Sequence, residues 1–534
     1  MNDEHLKARF RRSNIDLEEK FITPDEIPIY ISKKGAYCKL KEINPIIEKK
    51  IMSGFTIRNK NIMGFFDVFK CYSYIKINGE RVIVFPRFGA LLLSDKKKLP
   101  APIKFIRQIP EPKSIEFSTN AGFVGNQQVV FDAIFDYYFS LKYLKKAMGG
   151  VIIELDAGAG KTVLAILMLA KLKLRTLIIV HNQTILSQWK DELAKFAPDV
   201  DVGLYYGKKK DLLNDVIISV INSALKFPNF DEFGVVIFDE CHMYSSKEFS
   251  KIFQQCQSNY MIGLSATPEI KKESQNNLYK VIQWNIGPIL KCAELEGYVN
   301  STEEFKARVI RIMYYAKPEH SETLINEKLG IVSNSKMLNQ LTTDPYRMKL
   351  IIHSIMEIMQ YKQKLPNGTT HPTYLFVFAD RRDYLSIIHQ NLIGKITENV
   401  ELEFLTDDNE FKRVSTLLGG AKAEDVAHAK ANSYIIFSTY KFMGTGYSIP
   451  RMNAILFATP FKTGSKQFAG RIFRTNKDNP EMNKLERLIF DICDMNATLK
   501  SQYYLRKKYY QSREFPIKEK KLSWTDFADE NESV

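Results

Sequence analysis

The sequence predicts an α/β protein: two lobes in tandem, each built on a parallel sheet, behind a small N-terminal α+β domain. Three observations predict it. Short apolar runs at Val151–Ile153, Thr176–Val180, Val216–Ile221, Val235–Phe238 and Tyr260–Leu264 alternate with helical stretches. Runs of that kind, apolar on both faces, belong to buried parallel strands. A second series follows at Tyr374–Phe378, Val400–Leu405, Tyr434–Ser438, Ala454–Ala458 and Leu488–Ile492. Only the first series opens on a small-residue loop ending in Lys161 and Thr162.

Residues 1–113 carry no chemical motif and are expected to form the accessory domain. Tyr74–Ile77 and Arg81–Phe85 bracket Asn78-Gly79, the mark of a two-residue hairpin turn. Lys96, Lys97 and Lys98 then run into Pro100, Pro102, Pro110 and Pro112. Prolines that dense disfavour regular structure, so a linker or extended lead-in is expected. The first lobe is expected over residues 114–300 and the second over 301–515, with a polar tail at 516–534 whose last residues, Asp526 to Val534, are acidic. From Gln127 to Ala147, Val130, Ile134, Tyr137, Leu141 and Leu144 recur at helical spacing and predict a helix. Gln127 or Gln128 at its start offers a carboxamide, donor and acceptor together, suited to an adenine edge.

The loop Leu-Asp-Ala-Gly-Ala-Gly-Lys-Thr at residues 155–162 runs straight into a helical pattern. Strand, glycine loop and helix in that order build a phosphate cradle. Gly158 and Gly160 lack the Cβ that would keep backbone N–H groups off phosphate oxygens. Lys161 brings a point charge to the β- and γ-phosphates, and Thr162 a hydroxyl for Mg²⁺. The helix start adds the positive end of its dipole. The strict pattern has glycine where this chain has Leu155, so the residues downstream carry the weight.

In a parallel sheet, ligands gather at the carboxyl ends of the strands. Asp239 and Glu240 end one strand, about eighty residues after Lys161, as a phosphate-loop ATPase requires. Asp239 would hold Mg²⁺, directly or through water, and Glu240 would polarise the attacking water. Ser265 and Thr267 end the next strand and put two hydroxyls beside the acids. In the second lobe, Gln467, Arg471 and Arg474 would share one face of a helix. Two guanidinium groups reaching across a cleft would stabilise charge on a transferring phosphate, as such groups do in phosphoryl transfer.

The ordered stretches LDAGAGKT, TLIIVHNQTILSQW, FDECH, GLSATP, LFVFADRRDYL, FSTYKFMGTGYSIP and QFAGRIFR resemble the superfamily 2 helicases of the DExH type. The resemblance covers about residues 120–500. Trp284–Leu290 (WNIGPIL) and Gly419-Gly420 are similar to the XPB-like branch, and within it to the helicases of large DNA viruses, of the African swine fever virus and poxvirus transcript-release types. That resemblance implies two RecA-like lobes and ATP-dependent DNA translocation or unwinding in viral transcription, at transcript release or termination, or in repair. It implies ATP and Mg²⁺ as cofactors. The implied partners are double- or single-stranded DNA, RNA as the alternative, and a viral RNA polymerase, but no membrane. A monomer in the host cytoplasm, in the viral factory and in the virion, is the matching expectation.

By position, the resemblance makes Lys161, Asp239, Glu240, Arg471 and Arg474 catalytic. Gln127, Ala157, Gly158, Ala159, Gly160, Lys161, Thr162 and Gly446 would hold the nucleotide, and Thr162 and Asp239 the metal. His242, Ser265, Thr267 and Gln467 would couple the lobes. His181, Asn182, Thr439 and Tyr440 would touch the nucleic-acid backbone. Two positions depart from the family: Ser448 stands where many members have Asp or Glu, and Val220 where Thr is frequent.

A formal net charge of +15 favours a polyanionic partner. Lys208–Lys210, Arg381-Arg382 and the run Arg506–Tyr510, with its aromatics, are the basic candidates for nucleic-acid contact. No apolar run approaches a membrane span, and no apolar segment follows the charged N-terminus as in a signal peptide. None of the six cysteines forms a CxxC pair, so neither a zinc site nor a disulfide framework is indicated, and a reducing compartment fits. The rival of another class is an inert module that recruits nucleic acid or RNA polymerase. Such a module has no reason to keep Lys161, Asp239, Glu240, Arg471 and Arg474 together. A nuclease-linked restriction translocase would need an Asp…Glu-x-Lys cluster that the first 113 residues lack.

Overall fold

The structure, a computed structural model, describes residues 25–528 except 61–65, 96–98, 141–148, 157, 270–276, 300–304, 306, 328–329, 366, 398–404, 406–412, 444–448, 463, 475, 477–478 and 497. Its chain divides into two compact units. Met1–Leu155 and Gly160–Val299 make the first, and Asp156–Ala159 and Asn300–Val534 the second.

The first unit holds an eight-stranded sheet. Its strands run, across the sheet, Lys209–Lys210, Val202–Tyr206, Val216–Val220, Thr176–Val180, Val235–Asp239, Tyr260–Ser265, Gly149–Glu154 and Ile289–Lys291. All neighbours are parallel except the Val202–Tyr206/Lys209–Lys210 hairpin. The five inner strands, from Val216–Val220 to Gly149–Glu154, are buried almost throughout, as strands covered on both faces are. Tyr260–Ser265 lies between the cradle strand and the Asp-Glu strand, with Ser265 in register with Glu154 and Leu264 with Asp239. The cradle, the acid pair and the Ser-Ala-Thr segment therefore leave the sheet side by side.

The N-terminal region forms a five-stranded sheet in the order Ser73–Ile77, Glu80–Phe85, Gly35–Lys39, Ile27–Ser32, Ile103–Arg107. Asn78 (φ 50°) and Gly79 (φ 82°) both take the left-handed conformation that the hairpin turn requires. The proline-rich stretch is not a linker throughout: Ile103–Arg107 pairs in parallel with Ile27–Ser32. The prolines lie on either side of it, and an edge position needs hydrogen bonds on one side only.

This region does not stand apart from the first lobe. Ile47, Ile51, Phe55 and Phe85 share one hydrophobic cluster with Ile152, Val281, Ile282 and Ile286. Arg87, fully buried, donates to the carbonyls of Ser258 and Gly149. Lys33 donates to the Phe233 carbonyl at 2.8 Å and to Ser258 Oγ at 3.2 Å, and burial lowers its pKa to about 8. Two buried cations bonded to backbone carbonyls thus pin the accessory region to the amino ends of the lobe's strands, away from the carboxyl ends where chemistry gathers.

The second unit has a seven-stranded, wholly parallel sheet in the order Val414–Leu417, Ile435–Thr439, Leu375–Ala379, Ala454–Phe457, Arg487–Asp494, Ala307–Tyr315, Ile517–Ser523. The sequence expectation of a polar tail from residue 516 is corrected here, because Ile517–Ser523 closes the sheet against Ala307–Tyr315. It reads as polar because an edge strand keeps one side in solvent. The expected strand at Val400–Leu405 lies outside the described residues except Leu405, which is buried. The expected helix from Gln127 is α-helical to Ala133 and then takes a π turn over Ile134–Tyr138, and residues 141–148 are outside the described set.

Candidate ATP and nucleic-acid site

The cradle begins where Gly149–Glu154 leaves the sheet and ends at the helix Lys161–Leu172. Gly158 (φ 92°) and Gly160 (φ 74°) both sit in the left-handed region. A Cβ on Gly160 would come within 2.4 Å of Gln127 Nε2. That contact is a hydrogen-bond pair: Gln127 Nε2 donates to the Gly160 carbonyl at 3.0 Å, and its Oε1 accepts from Val124 N–H at 2.9 Å. Gln128, exposed, bonds Asp132 instead. Gln127 is thus the glutamine at the cradle, with both ends of its carboxamide engaged by backbone. Lys161 Nζ donates to the Leu155 carbonyl at 3.1 Å, folding the ammonium back over the loop. No side chain caps the helix start, so its leading N–H groups face the loop. Ala159 closes a turn onto the Asp156 carbonyl, Thr162 is half-buried, and Ala157 lies outside the described residues.

Asp239 is held at both oxygens. Trp189 Nε1 donates to Oδ2 at 2.8 Å, and Glu240 N–H donates to Oδ1 at 2.9 Å. Burial, and then the Glu240 carboxylate beside it, push the Asp239 carboxyl up to about 6, while the Trp189 N–H and the Lys161 ammonium oppose the rise. Glu240 adopts φ 46°, ψ 52°. A side chain in that region costs about 1–2 kcal/mol, a strain typical of functional positions. His242 Nδ1 lies 3.0 Å from Ser265 Oγ and 3.4 Å from Glu240 Oε2. Ser265 Oγ accepts from Thr267 N–H at 3.1 Å. Thr267 Oγ1 is buried without a hydrogen-bond partner among the described residues.

In the second unit, Gln467 and Arg471 are buried and Arg474 is half-buried. The expected single helical face is corrected, because the helix covers only Ser465–Ala469. Past Gly470 the hydrogen bonds shorten to three residues, Arg471 N–H to the Phe468 carbonyl and Ile472 N–H to the Ala469 carbonyl. Glycine is a weak helix former, and Ile472 and Phe473 turn into the core. Gly446 and Ser448 lie outside the described residues.

Comparison with known proteins completes the picture. The family profile described as "Type III restriction enzyme, res subunit" matches residues 126–270, from the Gln127 region past the Ser-Ala-Thr segment. An African swine fever virus (strain Badajoz 1971 Vero-adapted) protein, named for an inferred ATP-dependent RNA helicase activity, is 32% identical over 387 residues, covering 70% of this chain and 71% of that protein. This chain belongs to the superfamily 2 helicases of large DNA viruses. A similarly named protein of Acanthamoeba polyphaga mimivirus is 28% identical over 409 residues, covering 74% of this chain and 69% of that one. The DNA 3'-5' translocase XPB2 of Sulfurisphaera tokodaii is 32% identical over 169 residues, 32% of this chain and 35% of that one, which fits an XPB-like relationship.

The helicase is an ATP-using enzyme with Mg²⁺ as its ion, and its donor set fits that ion. Thr162, Asp239 and Glu240 offer only hard oxygens, which suit a small dication that also takes substrate phosphates.

Several residues expected at the nucleic acid have other duties in the helicase. Asn182 Oδ1 accepts from Ile185 N–H at 3.0 Å and caps the helix Gln183–Phe196. His181 sits edge-on to Phe249, ring centroids 5.9 Å apart. Thr439 Oγ1 accepts from Phe442 N–H at 3.2 Å. Tyr440 is buried, donates to the Thr459 carbonyl and packs on Phe461 and Phe468, so its ring offers no stacking face. Arg506 is corrected too: it is buried and bidentate on Asp491 at 2.9 and 2.7 Å, with Tyr510 OH on the same carboxylate. Lys208–Lys210, Arg382 and Lys508 remain exposed. Trp189, which bonds Asp239, is not marked as a site residue by the sequence. Its only sequence signal is a large aromatic on the apolar stripe of Gln183–Phe196, which reads as core.

Proposed function

We propose that this helicase is a DNA translocase that works in viral transcription, at transcript release or termination, or in repair. In that reading it acts in the viral factory of the host cytoplasm, beside the viral RNA polymerase. The observation that carries the motor reading is the line of contacts Glu240–His242–Ser265–Thr267. It ties the acid that polarises water to the segment leaving the next strand, so a change at the phosphate is felt there.

The backbone N–H groups around Gly158 and Gly160 hold the phosphates of ATP. Lys161 exchanges the Leu155 carbonyl for the β- and γ-phosphates. Glu240 orients the attacking water and accepts its proton. Arg471 and Arg474 supply positive charge to the phosphate that is transferred. Thr162 and Asp239 would hold magnesium, which would supply positive charge to the phosphate oxygens when bound.

DNA as the track is supported by the likeness to an archaeal enzyme named as a DNA translocase and by the +15 charge. RNA is the second reading, favoured by the names of the viral relatives. The test is ATPase turnover with single-stranded DNA, duplex DNA and RNA side by side across a salt series. Strongest stimulation by DNA is expected, and strongest stimulation by RNA overturns the DNA reading. Lys161→Ala and Glu240→Gln are expected to abolish stimulated turnover; near wild-type rates in both would overturn the motor reading itself.

A further inference from the structure

We infer that Trp189 is a positioning residue for the metal site, holding the Asp239 carboxylate through its indole N–H and tying it to the helix capped by Asn182. Three observations carry this. The indole is 1% exposed, and its single donor is spent on Asp239 Oδ2 at 2.8 Å. An indole N–H donates one hydrogen bond and never accepts. The second carboxylate oxygen takes Glu240 N–H at 2.9 Å. With one donor on each oxygen, the carboxylate plane is fixed, and each oxygen keeps lone pairs for a metal shell.

The third observation is where Trp189 stands. It lies two turns into Gln183–Phe196, the helix whose N-cap is Asn182 and whose preceding residue is His181. Leu186, Leu193 and Ile185 bury the same side of that helix. A rigid element therefore starts at a nucleic-acid candidate and ends, at its indole, on the metal-holding acid. Partners that orient a metal ligand in this way are commonly worth a factor of about 10–100 in metal affinity.

The inference rests on the reading that Asp239 holds magnesium, and the experiment separates the two. The full-length chain is titrated with Mg²⁺ at fixed ADP, with nucleotide binding read by fluorescence of a labelled ADP, without turnover. Trp189→Phe keeps the aromatic packing and removes the N–H. It is expected to raise the Mg²⁺ concentration at half-saturation about tenfold, while ADP affinity in EDTA stays within about twofold. An unchanged Mg²⁺ requirement in folded Trp189→Phe overturns the inference. Asp239→Asn is the control: if it too leaves the Mg²⁺ requirement unchanged, the reading of Asp239 fails instead. Should Trp189→Phe not fold, the natural chain decides. Three tryptophans give three indole N–H resonances. One is expected to move on addition of ADP with Mg²⁺ and to stay put with ADP in EDTA. No such resonance overturns the inference.

Discussion

His242 Nδ1 lies 3.0 Å from Ser265 Oγ, so the histidine of the acid strand and the serine of its neighbour share one hydrogen bond. The same nitrogen is 3.4 Å from Glu240 Oε2. His242 therefore stands between Glu240 and the segment that Ser265 anchors, with its ring in reach of both. Removing it leaves Lys161, Asp239 and Glu240 in place. His242→Ala is expected to keep basal ATPase activity within about fivefold and to lower nucleic-acid stimulation or translocation by about tenfold, within the usual range of coupling between two sites. Measuring both in one preparation checks it; equal losses would place His242 in the chemistry alone.

A side chain on Gly160 would push the Gln127 carboxamide off the Gly160 carbonyl. The Gly160 φ of 74° and the 2.4 Å approach of Gln127 Nε2 predict that Gly160→Ala is doubly penalised. The left-handed backbone alone costs about 1–2 kcal/mol. Weaker ADP binding by calorimetry and a lower melting temperature are expected. Adding Gln127→Ala removes the contact but not the strain, and it forfeits the Gln127 hydrogen bonds to Gly160 and Val124, so neither ADP binding nor the melting temperature should return to the natural level.

Asp239 makes the ligand-free chain less stable at neutral pH than it would be with a neutral side chain there. Its folded-state pKa near 6 exceeds the ordinary 3.8, so the folded chain binds this proton more tightly than the unfolded chain. The resulting stabilisation is complete below 3.8 and is lost as pH rises through 6. At pH 8 the loss is at most about 3 kcal/mol. Asp239→Asn should therefore stabilise the ligand-free chain at pH 8 by about 1–2 kcal/mol once one forfeited hydrogen bond is counted, seen as a higher melting temperature. The advantage should vanish near pH 4. A lower melting temperature at pH 8 would contradict the assigned cause.

Arg506 is a core residue in spite of its basic neighbours. Its buried pair with Asp491, shared with Tyr510, predicts that Arg506→Ala costs about 3–5 kcal/mol in chemical unfolding, because Asp491 loses its buried cation and keeps only the Tyr510 hydroxyl. The neighbouring exposed Lys508 should behave in the opposite way. Lys508→Ala is expected to leave stability unchanged, and any effect should appear in the salt dependence of nucleic-acid binding.

The strands of the first lobe were legible from their residues. Thr176–Val180 coincides with its expected range, and Val216–Val220, Val235–Asp239 and Tyr260–Ser265 differ from theirs by one residue. Buried parallel strands need continuous apolar runs, and few other structures tolerate them. Ile517–Ser523 escaped because it lies at a sheet edge, where alternating charge is as acceptable as in a tail. The break after Ala469 escaped because the spacing of Gln467, Arg471 and Arg474 is helical whether or not the hydrogen bonds continue through Gly470.

The sequence alone determined which chemical groups this helicase carries and the order in which they arrive: a glycine cradle with Lys161 and Thr162, the pair Asp239-Glu240, then Ser265, Thr267, Arg471 and Arg474. Those groups follow from local chain geometry and side-chain chemistry, which a linear pattern records. Tertiary structure alone decided which polar atoms face each other. It set the Trp189 indole on Asp239, His242 on Ser265, Gln127 on Gly160, and it buried Arg506, Arg87 and Lys33 where their charge is spent inside the protein. The physical reason is that a hydrogen bond or ion pair depends on a partner many residues away and on the exclusion of water around both. Neither is encoded in the identity of one residue or its neighbours.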